Sequence, residues 1–187
     1  MPLKPKQRPA TYADIEALPP HIVGEVLFGV LHTHPLPAPR YARAAGRLHA
    51  ELNSPFDRGR GSSGGWVILI EPEIQLGDFI IVPDIAGWRR ERMPRLPDTA
   101  SIHLAPHWVC ELLSPSTARL DRTDKLAAYA RFEVGYVWLA DPIARTLEVL
   151  VLTGSKYLIA ATFKDAEPVT APPFEAHTFP LDVLWPD

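Results

Sequence analysis

Between positions 106 and 136 the chain reads PHWVCELLSPSTARLDRTDKLAAYARFEVGY, and Glu111 is the residue there that most restricts the fold. Residues 108–113 suit one buried strand, apolar except at Glu111. A carboxylate inside such a run must be paired, protonated or bound to a cation, because burying it bare is costly. Ser114-Pro115-Ser116-Thr117 then turns the chain. A helix is predicted over 122–132, N-capped by Asp121 with Asp124 at the third position, and ended by Gly135. Lys125 lies four residues after Asp121 and four before Tyr129, so the three share one helix face. Asp121 reads as the cap and Tyr129 as core. The next strand, 136–140, closes at Asp141-Pro142.

Upstream, Thr11 can cap a short helix over 12–18, and a β-hairpin is predicted from strands 23–28, which carries Glu25, and 30–33. A helix over 37–52 places Tyr41, Ala44, Ala45, Leu48 and Leu52 on one face and ends at Asn53-Ser54-Pro55. A Gly/Ser loop follows. Residues 66–70 form a strand, and 73–76 and 79–82 flank the turn signal Gly77-Asp78. Pro83-Asp84-Ile85-Ala86 reads as a continuation of that last strand, with Pro83 marking an edge or bulge. Alternation favours Glu73 over Glu71 as the inward acid. Residues 89–104 form a polar loop, 147–152 and 157–162 a closing antiparallel pair, and the tail packs through Leu181, Leu184 and Trp185. This order gives a mixed α/β (α+β) domain around one central sheet.

Asp84 and Glu111 therefore sit on neighbouring apolar strands. Two facing carboxylates repel unless one is protonated or a metal lies between them. Mg²⁺ accepts one or two carboxylates completed by waters and phosphate oxygens. Lys125, if its helix face overhangs the strand ends, could position or deprotonate an attacking water or stabilise transition-state charge.

The 187 residues fit one domain, with residues 1–10 as a flexible basic, proline-rich arm and 11–187 as the folded unit. With 19 basic and 22 acidic residues the net charge is -3, so global charge gives no drive towards nucleic acid. Arginines do cluster: Arg40, Arg43 and Arg47 at helical spacing, Arg58 and Arg60 in the Gly/Ser loop, and Arg89, Arg90, Arg92 and Arg95 after a strand. Each cluster taken alone reads as solvated surface. The single cysteine, Cys110, allows no intrachain disulfide and, by strand alternation, faces away from Glu111 into the core. No run approaches a membrane span and the N-terminus lacks a secretory apolar stretch, so a cytoplasmic location is expected. His32/His34 and His103/His107 lack zinc-site spacing on a helix, and no phosphate-binding Gly-rich loop occurs.

Pro83-Asp84, Glu111-Leu112-Leu113-Ser114-Pro115-Ser116, Asp121-x-x-x-Lys125-x-x-x-Tyr129, Gly135-Tyr136-Val137-Trp138 and Asp141-Pro142 together resemble the Uma-two branch of the PD-(D/E)XK nuclease superfamily. The resemblance runs from Tyr12 to about Leu152. It implies a restriction-endonuclease-like fold: a mixed central sheet flanked by helices, with an extra N-terminal β-hairpin. It also implies phosphodiester hydrolysis in DNA with Mg²⁺ or Mn²⁺. By position Asp84 and Glu111 match the motif acids that hold the metal, and Glu25 matches a recurrent acid that would join the site. The sequence departs from the superfamily at Leu113, where a lysine should stand; Lys125 on the next helix fits the displaced lysine of this branch. It departs again at Arg40-Tyr41, near where the branch often carries a histidine. The resemblance turns the arginine clusters into phosphate contacts and implies a homodimer. Two other readings stay open: a catalytically silent nuclease-fold module that binds DNA or protein, and a hydrolase of non-nucleic phosphodiesters.

Overall fold

A computed structural model describes residues 8–59 and 64–185. Most of the proposed arm, together with Arg60 and the centre of the Gly/Ser loop, lies outside these described residues. Helix α1 (Tyr12–Glu16) starts at Thr11, whose backbone N–H donates to the Asp14 carboxylate at 2.7 Å. Strands β1 (Ile22–Leu27) and β2 (Val30–Pro35) form the expected hairpin. Phe28 and Gly29 form its turn at φ 52° and 76°, the paired positive values that a two-residue hairpin loop needs.

The expected mixed central sheet is found, with a smaller four-stranded sheet built on the N-terminal hairpin beside it and a short two-stranded pair, 168–169 with 179–180. The smaller has the order β2-β1-β5-β4, with β4 at Ile74–Leu76 and β5 at Phe79–Ile81. The larger has the order β10-β9-β8-β7-β6-β3. Its strands are β3 (Trp66–Ile70), β6 (Ile85–Arg89), β7 (Trp108–Leu112), β8 (Tyr136–Asp141), β9 (Thr146–Thr153) and β10 (Lys156–Lys164). The predicted run through Pro83-Asp84 is thereby corrected. The chain leaves β5 of the small sheet and enters β6 of the large one, and Val82-Pro83-Asp84 is the passage between them. Pro83 cannot donate to a ladder, which suits a break better than a continuous strand.

Strands β7 and β8 pair in parallel, and that arrangement needs a crossover element. It is a helix, but it begins earlier than predicted. Segment α3 (Ala118–Leu120) follows Thr117, passes through a π-helical turn at Asp121–Lys125 and continues as α4 (Leu126–Arg131). Asp121 is thus inside the helix and buried, not its cap. After Phe132 the left-handed residue is Glu133, at φ 57°, so Gly135 does not end the helix. Helix α2 (Pro39–Leu52) likewise runs on into a π-helical turn, Asn53–Asp57, instead of stopping at Asn53.

The large sheet is covered on both faces. One face meets Ala44, Ala45, Leu48 and Leu52 of α2 and the tail residues Leu181, Leu184 and Trp185, as expected. Its centre is aromatic: the Trp108 ring lies 5.4 Å from Trp138 and 5.0 Å from Phe174, close to perpendicular to both. The other face meets the small sheet through Leu27, Ile74 and Ile81, and α4 through Ala128 and Tyr129. Every residue of β7 is buried, as two covered faces require. Among the described residues, no helix is long and apolar enough to cross a membrane.

Candidate functional site

Side chains alternate along β7. Trp108, Cys110 and Leu112 enter the aromatic face, while Val109 and Glu111 point to the side of the small sheet and α4. The π-helical turn delivers Lys125 to the same place. Its Nζ lies 2.9 Å from Glu111 Oε1, 3.1 Å from Glu25 Oε1 and 3.7 Å from Asp121 Oδ1. It also donates to the Val82 carbonyl at 3.4 Å, in the passage between the sheets. One turn on, the Tyr129 hydroxyl donates to Glu111 Oε1. Glu111 is 1% exposed, Glu25 1% and Lys125 3%.

The β1–β2 register places Glu25 opposite His32, so His34, two residues on, shares the face of Glu25. His34 Nε2 lies 3.5 Å from Glu25 Oε2, and its Nδ1 lies 3.1 Å from the Pro35 carbonyl. Glu25 Oε1 also accepts the Val82 N–H at 2.9 Å. Asp84 is partly exposed, with its Oδ2 accepting the Leu112 N–H at 2.7 Å. The passage 82–84 thus ties two of the site's acids, Glu25 and Asp84, to the backbone and meets Lys125 through the Val82 carbonyl.

Burial drives the electrostatics. It pushes Glu111 well above the usual carboxylate range against the pull of Lys125, and Asp121, Asp84 and Glu25 reinforce the rise. Burial likewise lifts Asp84 to about 6, opposed by Lys125 and the Leu112 N–H. Burial also raises Glu25, but Lys125, His34 and the Val82 N–H outweigh it and bring Glu25 down to about 2. Lys125 is lowered by burial and raised further by Glu111, Glu25, Asp121 and Asp84, ending well above its ordinary value. It is a fixed charge, not a base. Four carboxylates therefore surround one permanent cation, and the half-buried His34, raised first by its bond to Glu25, supplies a second positive group.

These groups form the floor of a cleft of about 360 Å³. The β2–α2 connection and Tyr41 form one wall, and Leu112 with Ser114–Thr117 the other. Asp84, Glu111, Asp121 and Lys125 all line it, and Glu25 sits behind Lys125.

The fold therefore brings together all four residues singled out from the sequence: Asp84, Glu111, Lys125 and Glu25. It adds three that sequence reasoning placed elsewhere. Asp121 was read as a cap and Tyr129 as core, although their four-residue spacing from Lys125 was the available signal. His34 carries no zinc-site spacing, and hairpin alternation from Glu25 is the signal that points to it. Glu71, not Glu73, lines the cleft. Glu73 is still the more inward of the two, as alternation favours, and lies against the Tyr12 hydroxyl, whereas Glu71 is exposed. Several arginines expected to reach phosphates are used by the fold. Arg47 donates to the Val183 carbonyl at 2.8 Å, Arg90 pairs with Asp57 at 2.7 Å, and Arg89 stacks on Trp66.

A family model described as Uma2, putative restriction endonuclease, matches residues 10–183. Among solved structures, the chain is similar to one described as a putative nuclease belonging to DUF820 from Anabaena variabilis ATCC 29413. The TM-score is 0.75 at 22% identity, over 94% of this chain and 98% of the other, a likeness of fold. No curated protein matches the chain.

Proposed function

The chain belongs to the Uma2 putative restriction endonuclease family, and on that premise we propose that it is a metal-dependent endonuclease hydrolysing phosphodiester bonds in DNA, folded as one unit over 11–187. The observation that carries this reading is the surplus of buried carboxylate around Lys125 at the floor of an open cleft. Such a surplus costs stability unless a cation completes it.

The donor set fits a hard divalent ion. Among the described residues no group of three or more His, Cys, Asp or Glu is placed to hold a metal by itself. Mg²⁺ or Mn²⁺ needs only one or two carboxylates beside water and substrate oxygens. Asp84 and Glu111 would hold it, since both carboxyl groups line the cleft. A bound divalent ion would supply Lewis-acid activation of water and charge neutralisation on the phosphoryl group. The chain's own residues do the rest. Lys125, kept protonated, presents a fixed positive charge towards charge that develops on the phosphate. Glu25 holds Lys125 from behind and is itself held by the Val82 N–H. Tyr129 fixes the orientation of Glu111.

The test is incubation with DNA and Mg²⁺ or Mn²⁺. Cleavage is expected from the native chain and lost in Asp84→Ala and Glu111→Ala. Cleavage that survives both substitutions removes the assignment. A catalytically silent DNA- or protein-binding module is the second reading, and it draws on Glu111 Oε1 being taken by both Lys125 and Tyr129. Calorimetry with Mn²⁺ separates the two: a working site gives heat that Asp84→Asn abolishes, and a silent one gives none.

A further inference from the structure

The cleft above Lys125 restricts which form of nucleic acid can use it. A duplex carries about one negative charge per 1.7 Å of axis on the outside of a stiff rod, and proteins that grip it array several Lys or Arg along the contact. This cleft has no such array. Among the described residues its lining holds no arginine, and its two cationic side chains, Lys125 and His34, are both paired with carboxylates. Arg47, Arg90 and Arg122 are taken up elsewhere, the last by Glu148 at 2.6 Å. The exposed Arg40 and Arg43 flank Tyr41 in the first turns of α2, beside the cleft wall. The reacting groups are also recessed: Glu111 and Lys125 are buried, and Leu36, Pro37 and Pro115 line the same cleft. The upper wall is apolar, with Leu36 56% exposed and Tyr41 half-buried beside it. An aromatic side chain flanked by the exposed cations Arg40 and Arg43 is the arrangement on which unstacked bases of a single strand are held.

We propose that the cleft takes single-stranded nucleic acid, with one base unstacked against Tyr41 and Leu36, Arg40 and Arg43 on the flanking phosphates, and the scissile phosphate at the Lys125 floor. This rests on the nuclease reading for the last placement only. The test is fluorescence anisotropy of the full chain in Mg²⁺, with a labelled single-stranded 12-mer and a hairpin duplex containing the same sequence. Cleavage of both is followed in parallel. The single strand is expected to bind at least tenfold more tightly. With two phosphates engaged, its affinity falls only about sevenfold between 50 and 200 mM salt. Tyr41→Ala weakens it by about tenfold, the scale of one lost base stack, while Tyr41→Phe restores binding. Tyr41 also packs on the core, so Leu36→Asp is the second variant: it is expected to weaken binding severalfold with an unchanged melting temperature.

Equal or tighter duplex binding overturns the proposal, as does unchanged strand binding in both Tyr41→Ala and Leu36→Asp, or binding of neither form. A single strand bound with the stated preference but never cut supports this inference and removes the nuclease reading. Preferential cutting of the duplex does the reverse.

Discussion

Strand β7 faces two environments. Towards α2 it presents Trp108, Cys110 and Leu112 to Trp138, Phe174 and the C-terminal tail. Towards the small sheet and α4 it presents Glu111 to Lys125 and Tyr129. The first is closed and held by apolar area and ring packing, which need no partner outside the chain; the second lies at the floor of an open cleft. The second buries three acids around one lysine, with the partly exposed Asp84 beside them, and its own charges do not balance. A sheet with one self-sufficient face can keep the other under electrostatic tension. We read that division as the reason a recessed acidic site is tolerated here.

The largest expected effect tests the self-sufficient face. Trp108→Ala opens a void between Trp138 and Phe174 and is expected to cost about 3–5 kcal/mol in chemical denaturation. Trp108→Phe should cost far less, because the buried indole N–H has no hydrogen-bond partner to lose. A small effect of the alanine change would show that this face is not what holds the sheet.

On the other face, Lys125→Met removes the one fixed cation and leaves the acids facing one another. Breaking a buried pair in this way is expected to cost about 3 kcal/mol at pH 8. The loss should shrink as pH falls, since Asp84, at about 6 while Lys125 holds it down, and Glu111, raised by burial, both shift upward without the lysine and take up protons. Saturating Mg²⁺ or Mn²⁺ should recover part of it. A deficit independent of both pH and metal would mean that the carboxylates are not under mutual repulsion.

Glu111→Gln sharpens the contrast by reversing the usual sign of a core substitution. The amide oxygen can still accept from Tyr129 and Lys125, but the charge that burial disfavours is gone. The metal-free protein is expected to gain about 1 kcal/mol of stability, as in trade-offs between stability and function, while its response to metal and any DNA cleavage are lost. Destabilisation would place Glu111 among the structural acids.

Strands and most helices were legible because apolar alternation and three-and-four spacing are local properties. Residues 66–70, the Gly77-Asp78 hairpin and the run around Glu111 are found as read. What was hidden depends on tertiary placement. Val82-Pro83-Asp84 reads as a strand because its neighbours on both sides are apolar, yet those neighbours belong to different sheets. Asp121 carries a capping signal, but the helix begins at Ala118, and burial by the rest of the fold turns Asp121 into a site acid. The motif acids and Lys125 were legible through resemblance together with spacing. His34 was not, because its relation to Glu25 passes across a hairpin.

His34 gives the smallest expected effect and bears on how far the charged face extends. Its bond to Glu25 raises its pKa, against burial and the nearby Lys125; the Pro35 carbonyl also favours the protonated ring. The groups that face it are Glu25 from β1 and, more distantly, Lys125 and Asp121 from the π-helical turn. A raised folded value means that the pairing contributes its full stability below the ordinary histidine value of 6.5. That contribution is lost as pH rises through the higher folded value. His34→Gln should therefore be less stable than the native chain by some tenths of a kcal/mol, up to about 1, at pH 6. The two should converge at alkaline pH in paired denaturation curves. Because Glu25 stays ionised throughout that range, held down at about 2, the convergence isolates the imidazole. A gap that widens with pH would mean that His34 is neutral in the fold, and the charged face would then end at Glu25.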